Sequence, residues 1–216
     1  MKKTVFITFI RMLFSLVMRA QDLSPEVQAV YDACLQMQSA IGSGGTAELR
    51  DANTMLKACN TSYFNSIRIV DEEMLPAFDG HFIFDYEFVD SLIVNRKVYS
   101  FATRYADRCA ERGASSEQEK VSMKTCMVGG KSSTKFTFVS RGHKEMAFVT
   151  EPGGKITVRI HDKTNDAWYN DTKDVTKGRS SRVLVFDLPA DKRCSLEVEV
   201  INKSKDDISF VVISNY

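Results

Sequence analysis

The spacing of hydrophobic residues changes once along this chain. Up to about residue 113 they recur every three or four positions, and from about residue 118 every second position. Ser24-Pro25 reads as a helix start: a hydroxyl at the cap, then a proline whose missing N–H would have been unpaired anyway. From there Val27, Val30, Cys34, Met37 and Ile41 form one apolar face. "GSGG" (42–45) ends that helix. Thr46 is the expected cap of a second, with the stripe Leu49, Ala52, Leu56 and Cys59. So short a link predicts an antiparallel helical hairpin. "HFIF" (81–84) reads as a short extended piece. Asp85 then caps a helix carrying Phe88, Val89, Leu92 and Ile93, and a further stripe runs through Val98, Phe101, Ala102, Tyr105 and Cys109. Gly113 and the polar residues after it read as a stop and a linker.

Beyond the linker the alternation is that of strands. In "KITVRIHD", Ile156, Val158 and Ile160 point one way and Thr157, Arg159 and His161 the other. "SLEVEVIN" alternates in the same manner. "RVLVFDLP" is apolar on both faces, which predicts a strand covered on both sides. Seven or eight short strands with turn signals between them predict an antiparallel sandwich. The expected class is therefore α+β, a helical region followed by a jelly-roll-like β-sandwich. The expected boundaries are a signal peptide at 1–20, a helical domain at 21–113, a linker at 114–119 and the sandwich at 120–216.

Composition narrows the function classes. With 44% hydrophobic and 26% charged residues the chain is expected to fold, and a net charge of +1 gives nucleic acid no basic surface. Lys2 and Lys3 precede the apolar runs "TVFITFI" and "MLFSLVM", and Ala20 precedes "QDLSPE", the layout of an export signal. A retained anchor is the alternative, although a span needs roughly 20 apolar residues and Arg11 interrupts this run. Cleavage after Ala20 would leave 25 basic and 28 acidic residues. The expected location is the periplasm, cell surface or exterior, with no membrane span after cleavage. Of Cys34, Cys59, Cys109, Cys126 and Cys194, at least one must be unpaired, and no C-x-x-C spacing occurs. Cys34 and Cys59 lie on facing helical stripes and form the preferred disulfide, two buried free thiols being the alternative.

The stretch from "TKFTFVSRGHKEM" through "KITVRIHDKTNDAWYND" to "SLEVEVINKSKDDISFVVISN" resembles the bacterial pre-peptidase C-terminal domain. The shared features are an early aromatic strand, a strand ending in Asp162, and Val200-x-Asn202 before a closing strand. The resemblance covers roughly residues 130–216. It implies a jelly-roll-like sandwich, mostly non-catalytic, some of whose relatives bind calcium or extracellular polymers. It carries no binding residues over.

"HDKTNDAWYND" (161–171) concentrates the candidate chemistry. It reads first as a bend between strands, since Asn and Asp hydrogen-bond their own backbone in tight turns. A regular calcium loop from Asp162 would need glycine where Ala167 stands and a carboxylate where Lys173 stands. Asp162, Asp166 and Asp171 could still gather oxygens around Ca²⁺ in an irregular site, the one cofactor considered. As a ligand lip, Trp168, Tyr169, Asn170 and Asp171 would suit a sugar, by ring stacking and hydrogen bonds. His81, His143 and His161 are scattered and lack catalytic spacing. Glu87 and Asp90 could share a helix face, but read as solvated charge. "EPGGK" (151–155) reads as a hairpin turn. The expectation is a non-catalytic exported protein whose sandwich binds or stabilises at the bacterial envelope, with an extracellular polysaccharide or a protein as partner. The alternatives are a carbohydrate-binding protein using Trp168 and Tyr169, and a hydrolase with its site between the two halves.

Overall fold

A computed structural model describes residues 23–59, 61–63, 68–70, 80–94, 121–169 and 178–215. The expected signal peptide, the stripe through Cys109, the 114–119 linker, Asn170 and Asp171 lie outside them.

Helix α1 (Pro25–Ser43) follows Ser24, whose side chain does not cap it. The Ser24 hydroxyl donates instead to Glu145 Oε2 at 2.7 Å, and the Ser24 N–H to the same oxygen at 2.9 Å. The carboxylate thus takes the place beside the helix start that the hydroxyl was expected to fill. Gly44, at φ 73°, closes α1 in the left-handed conformation that a residue lacking Cβ adopts without strain. Helix α2 (Thr46–Ala58) is preceded by Gly45, so Thr46 is its first residue and not its cap. Helix α3 (Tyr86–Ile93) is capped as expected: Asp85 Oδ1 accepts from Glu87 N at 2.8 Å and Phe88 N at 3.1 Å.

Ten strands form two five-stranded sheets. They are β1 (Thr61–Tyr63), β2 (Arg68–Val70), β3 (Val121–Val128), β4 (Ser133–Ser140) and β5 (His143–Thr150). After them come β6 (Ile156–Asp162), β7 (Ala167–Trp168), β8 (Ser181–Asp187), β9 (Cys194–Asn202) and β10 (Ile208–Asn215). Sheet A has the order β1-β3-β10-β5-β8 and sheet B the order β2-β4-β9-β6-β7. From β3 onward the strands alternate between the sheets except for the β6–β7 hairpin within sheet B, giving the β3-β10-β5-β8 and β4-β9-β6-β7 orders of a jelly roll, so the expected class is the observed one. Every pairing among those eight strands is antiparallel. Strands β1 and β2, which fall within the region expected to form the helical domain, extend one sheet each; β1 runs parallel to β3. "EPGG" is not a hairpin. It carries the chain from β5 in sheet A to β6 in sheet B, with Gly153 at φ 83°.

The inner faces of the sheets enclose one core, with Phe148, Phe210 and Leu184 from sheet A against Phe136, Ile160 and Val198 from sheet B. The outer face of sheet A is covered as well. Val121, Met123, Ala147, Val149, Val211 and Ile213 pack with Val27, Val30, Cys34 and Met37 of α1 and with Phe82, Ile83 and Phe84. Val183 and Val185 of "RVLVFDLP" join this second core while Leu184 and Phe186 face the first. Both faces of that strand are therefore apolar because both are covered. The helices form a third layer on the sandwich and share a core with it. The outer face of sheet B carries alternate polar residues, as the half-exposed positions between buried ones along β9 show.

Candidate functional site

The outer face of sheet B is built in rungs across its strands. Thr137 of β4 stands opposite Glu197 of β9, which stands opposite His161 of β6, which stands opposite Trp168 of β7. The next rung is Lys135, Glu199 and Arg159. Glu197 is gripped by Lys163 Nζ at 2.5 Å and Lys135 Nζ at 3.4 Å. The Lys163 hydrogen bond, aided by Lys135, holds the Glu197 carboxyl below the usual range although partial burial opposes it. Glu199 meets Arg159 at 3.7 Å, and His161 Nε2 meets Asp166 at 2.9 Å. At the far end of the face lies an open depression lined in part by Lys131, Ser133, Glu199, Ile201 and Lys203.

Trp168 stands at the edge of this grid, 55% exposed. Its ring lies parallel to that of His161, with centroids 4.4 Å apart and planes at 10°. One face of the indole is thus held by the imidazole. Tyr169, the next residue, faces the interior and stacks on Phe186 at 4.5 Å and 18°. Strand alternation separates the two aromatics expected to act together, so Tyr169 belongs to the core and Trp168 to the surface. Burial raises the Tyr169 hydroxyl, and the nearby Asp162 and Cys194 charges add to the shift.

Of the carboxylates expected to hold Ca²⁺, Asp162 and Asp166 point to opposite faces, and Asp171 lies outside the described residues. Asp162 is wholly buried, and its oxygens accept from Thr164 N (2.9 Å), Asn165 N (3.3 Å) and Asn165 Nδ2 (2.6 Å). Burial would raise its carboxyl, but these hydrogen bonds outweigh it and hold the group low. Asp166, at φ 51°, points its carboxylate at His161. Asp162 faces inward to fix the turn while Asp166 faces outward. Among the described residues no group of three or more His, Cys, Asp or Glu is placed to hold a metal. The bend between β6 and β7, the first reading of this stretch, is what the structure contains.

The remaining candidates disperse. Cys34 and Cys59 are both free thiols, which corrects the preferred disulfide; Cys59 Sγ instead donates to Met55 O at 3.3 Å. His81 meets Glu151 at 2.8 Å, and His143 meets Asp187 at 2.7 Å, each far in sequence from the other and from His161. Asp90 is taken by Lys57 at 2.7 Å. Where the helical layer meets sheet A, the described side chains form an apolar core with Glu145 and Glu151 bonded across its two ends. Sequence reasoning missed Lys135, Arg159, Lys163, Glu197 and Glu199 as a site, although the alternation in "KITVRIHD" and "SLEVEVIN" already put Arg159, Glu197 and Glu199 on outward positions.

No family model matches the chain, and no curated protein does. Among solved structures it is similar to the Yersinia pseudotuberculosis-derived mitogen, at 9% identity and a TM-score of 0.33, over 44% of this chain and 84% of that one. It is also similar to the periplasmic inhibitors of g-type lysozyme from Aeromonas hydrophila and Salmonella Typhimurium. Those alignments have 8% and 10% identity and TM-scores of 0.32 and 0.31, over 47% of this chain and 90% and 92% of the others. None of the described helices is long and apolar enough to cross a membrane.

Proposed function

We propose that this protein is a non-catalytic, exported binding module whose recognition surface is the outer face of sheet B around Trp168. The observation that carries this reading is the single tryptophan of the chain, exposed and ring-stacked on a polar face of a sandwich whose other sheet is buried on both sides. Large aromatic surface normally goes to the core, as Tyr169 does, so an indole left in water on a braced rung is an anchor for a ligand. The charged side chains beside it are held by one another, which fixes their positions before anything binds. Export rests on the layout of residues 1–20.

The test is co-sedimentation of the purified mature chain with insoluble cell-wall and extracellular polymers, comparing wild type with Trp168→Ala. Retention that falls at least severalfold in the variant, with no turnover of ester, peptide or glycoside substrates by either protein, is the expected result. Equal retention of both would remove the face from consideration. Turnover abolished by His161→Ala would replace the reading with an enzyme. Mass analysis of protein from an exporting host should find Gln21 as the first residue.

A further inference from the structure

We propose that the ligand of this face is a neutral oligosaccharide lying across sheet B, one ring of which stacks on the free side of Trp168. This rests on the binding-module reading above and names its ligand class. Charge decides the first step. The three cations of the two rungs nearest Trp168, Lys135, Lys163 and Arg159, are each engaged with Glu197 or Glu199, and Asp166 is engaged with His161, while Lys131 and Lys203 lie at the far end of the face from the indole. An anionic polymer needs cations in excess, and a cationic one needs uncommitted carboxylates. This grid offers neither.

A protein partner is disfavoured by the surroundings of the indole. Protein interfaces centre on an apolar patch depleted of charge. Here the tryptophan borders His161 and Asp166, and the other large hydrophobic exposed on sheet B among the described residues is Val139, on the far side of β9 from it.

What the face does offer is a flat, uncharged ring beside fixed polar groups with spare hydrogen-bonding capacity. A lysine ammonium has three donors and a carboxylate about four acceptor sites, so an ion pair of the two satisfies only part of either. Polyhydroxylated rings, apolar on one side and rich in donors and acceptors around the rim, match that combination. The rung Thr137–Glu197–His161–Trp168 crosses four strands, roughly 14 Å at a spacing of about 4.8 Å. That length takes a short run of rings and not a single one.

Because Trp168 is the only tryptophan, the selectively excited tryptophan emission of the full mature chain reports on this site alone. The experiment titrates wild type, Trp168→Phe and Trp168→Ala with neutral gluco-, xylo- and manno-oligosaccharides. A polyuronate and an unglycosylated peptide pool run beside them, and calorimetry follows the two variants. A neutral oligosaccharide is expected to shift the tryptophan emission with little dependence on added salt. Its affinity should fall about tenfold or more in Trp168→Ala and be partly kept in Trp168→Phe. Trp168-dependent binding of the polyuronate or of peptides would overturn the ligand class and leave the face as the recognition surface. No emission shift with any neutral sugar overturns the proposal, as does neutral-sugar binding that Trp168→Ala leaves unchanged.

Discussion

Glu145 and Ser24, 121 residues apart in sequence, are joined by two hydrogen bonds of 2.7 and 2.9 Å that pin the start of α1 to strand β5. A matching contact sits just past the other end of the same strand. Glu151 accepts from Phe82 N at 3.2 Å, Ser209 N at 2.9 Å and His81 Nδ1 at 2.8 Å. Two carboxylates flanking one strand therefore hold two separate parts of the helical layer on sheet A. Replacing either by alanine leaves part-buried N–H groups without their acceptor, which costs about 2–4 kcal/mol. Equilibrium denaturation should show that loss for Glu145→Ala and for Glu151→Ala, and a smaller one for the glutamine variants, whose carbonyl oxygen still accepts. Wild-type stability in both alanine variants would mean the apolar core alone docks the layer.

Much of this architecture is legible in the sequence, and what is hidden has physical reasons. The apolar stripe of α1 announces a buried helix face, and "RVLVFDLP" announces a strand covered twice. Neither says that the helix lies on the sheet to which this strand belongs, because an apolar face has no address. Strands β1 and β2 have three residues each, too few for a period. "EPGG" carries turn chemistry that serves a hairpin and a crossing between sheets equally well. In the bend, alternation restarts after the four residues that separate Asp162 from Ala167, so which of Trp168 and Tyr169 faces water is settled only by the pairing of His161 with Trp168.

The two residues on which the pre-peptidase resemblance leans hardest both turn out to organise loops. Asp162 fixes the β6–β7 turn. Asn202 Nδ2 donates to Val128 O, Gly129 O and Asp206 O, and its Oδ1 accepts from Ser204 N at 2.9 Å, so one amide ties the β3–β4 and β9–β10 connections together. Asn202→Ala should cost about 2 kcal/mol and Asp162→Ala a similar amount, measured by denaturation. Asp162 adds a pH signature. Its folded value lies below the ordinary 3.8, so its stabilising share is present above that pH and is lost as pH falls through the lower folded value. Asp162→Asn should flatten the acid limb of the stability curve.

Neighbouring aromatics on opposite faces give a paired prediction. Tyr169→Ala removes a ring stacked on Phe186 and should cost about 2–3 kcal/mol. Trp168→Ala removes an exposed ring and should cost less than about 1 kcal/mol. The reverse order in thermal denaturation would place the indole in the core and remove the surface platform.

Free thiols differ in reach. Cys34, Cys126 and Cys194 are buried, whereas Cys59, at the end of α2, is partly exposed. Burial, with the Cys59 charge adding to it, pushes the Cys34 thiol far up, out of range of thiolate chemistry at neutral pH. Burial raises Cys59 as well. Alkylation of the native protein followed by peptide mapping should label Cys59 well before the other three. A mass lower by two hydrogens, with Cys34 and Cys59 both unlabelled, would instead mean that the pair closes on oxidation.

Lys144 is a buried cation and gives a direct pH test. It is buried, and its Nζ donates to Asn215 O at 2.5 Å. Burial pulls its ammonium down from 10.5 to about 8, although the adjacent Glu145 charge works the other way. Between those two values the unfolded chain keeps a proton that the folded chain has given up. Stability contributed by this site therefore rises with pH from about 8 to 10.5, and below that window the buried charge is a standing cost on the order of 3 kcal/mol. Lys144→Met keeps the aliphatic length and removes the charge. It should raise stability at pH 7 and abolish the rise on the alkaline side, read by denaturant midpoints across pH 7–10.5. A Lys144→Met protein less stable than wild type at pH 7 would show that the bond to the Asn215 carbonyl outweighs the cost of burying the ammonium.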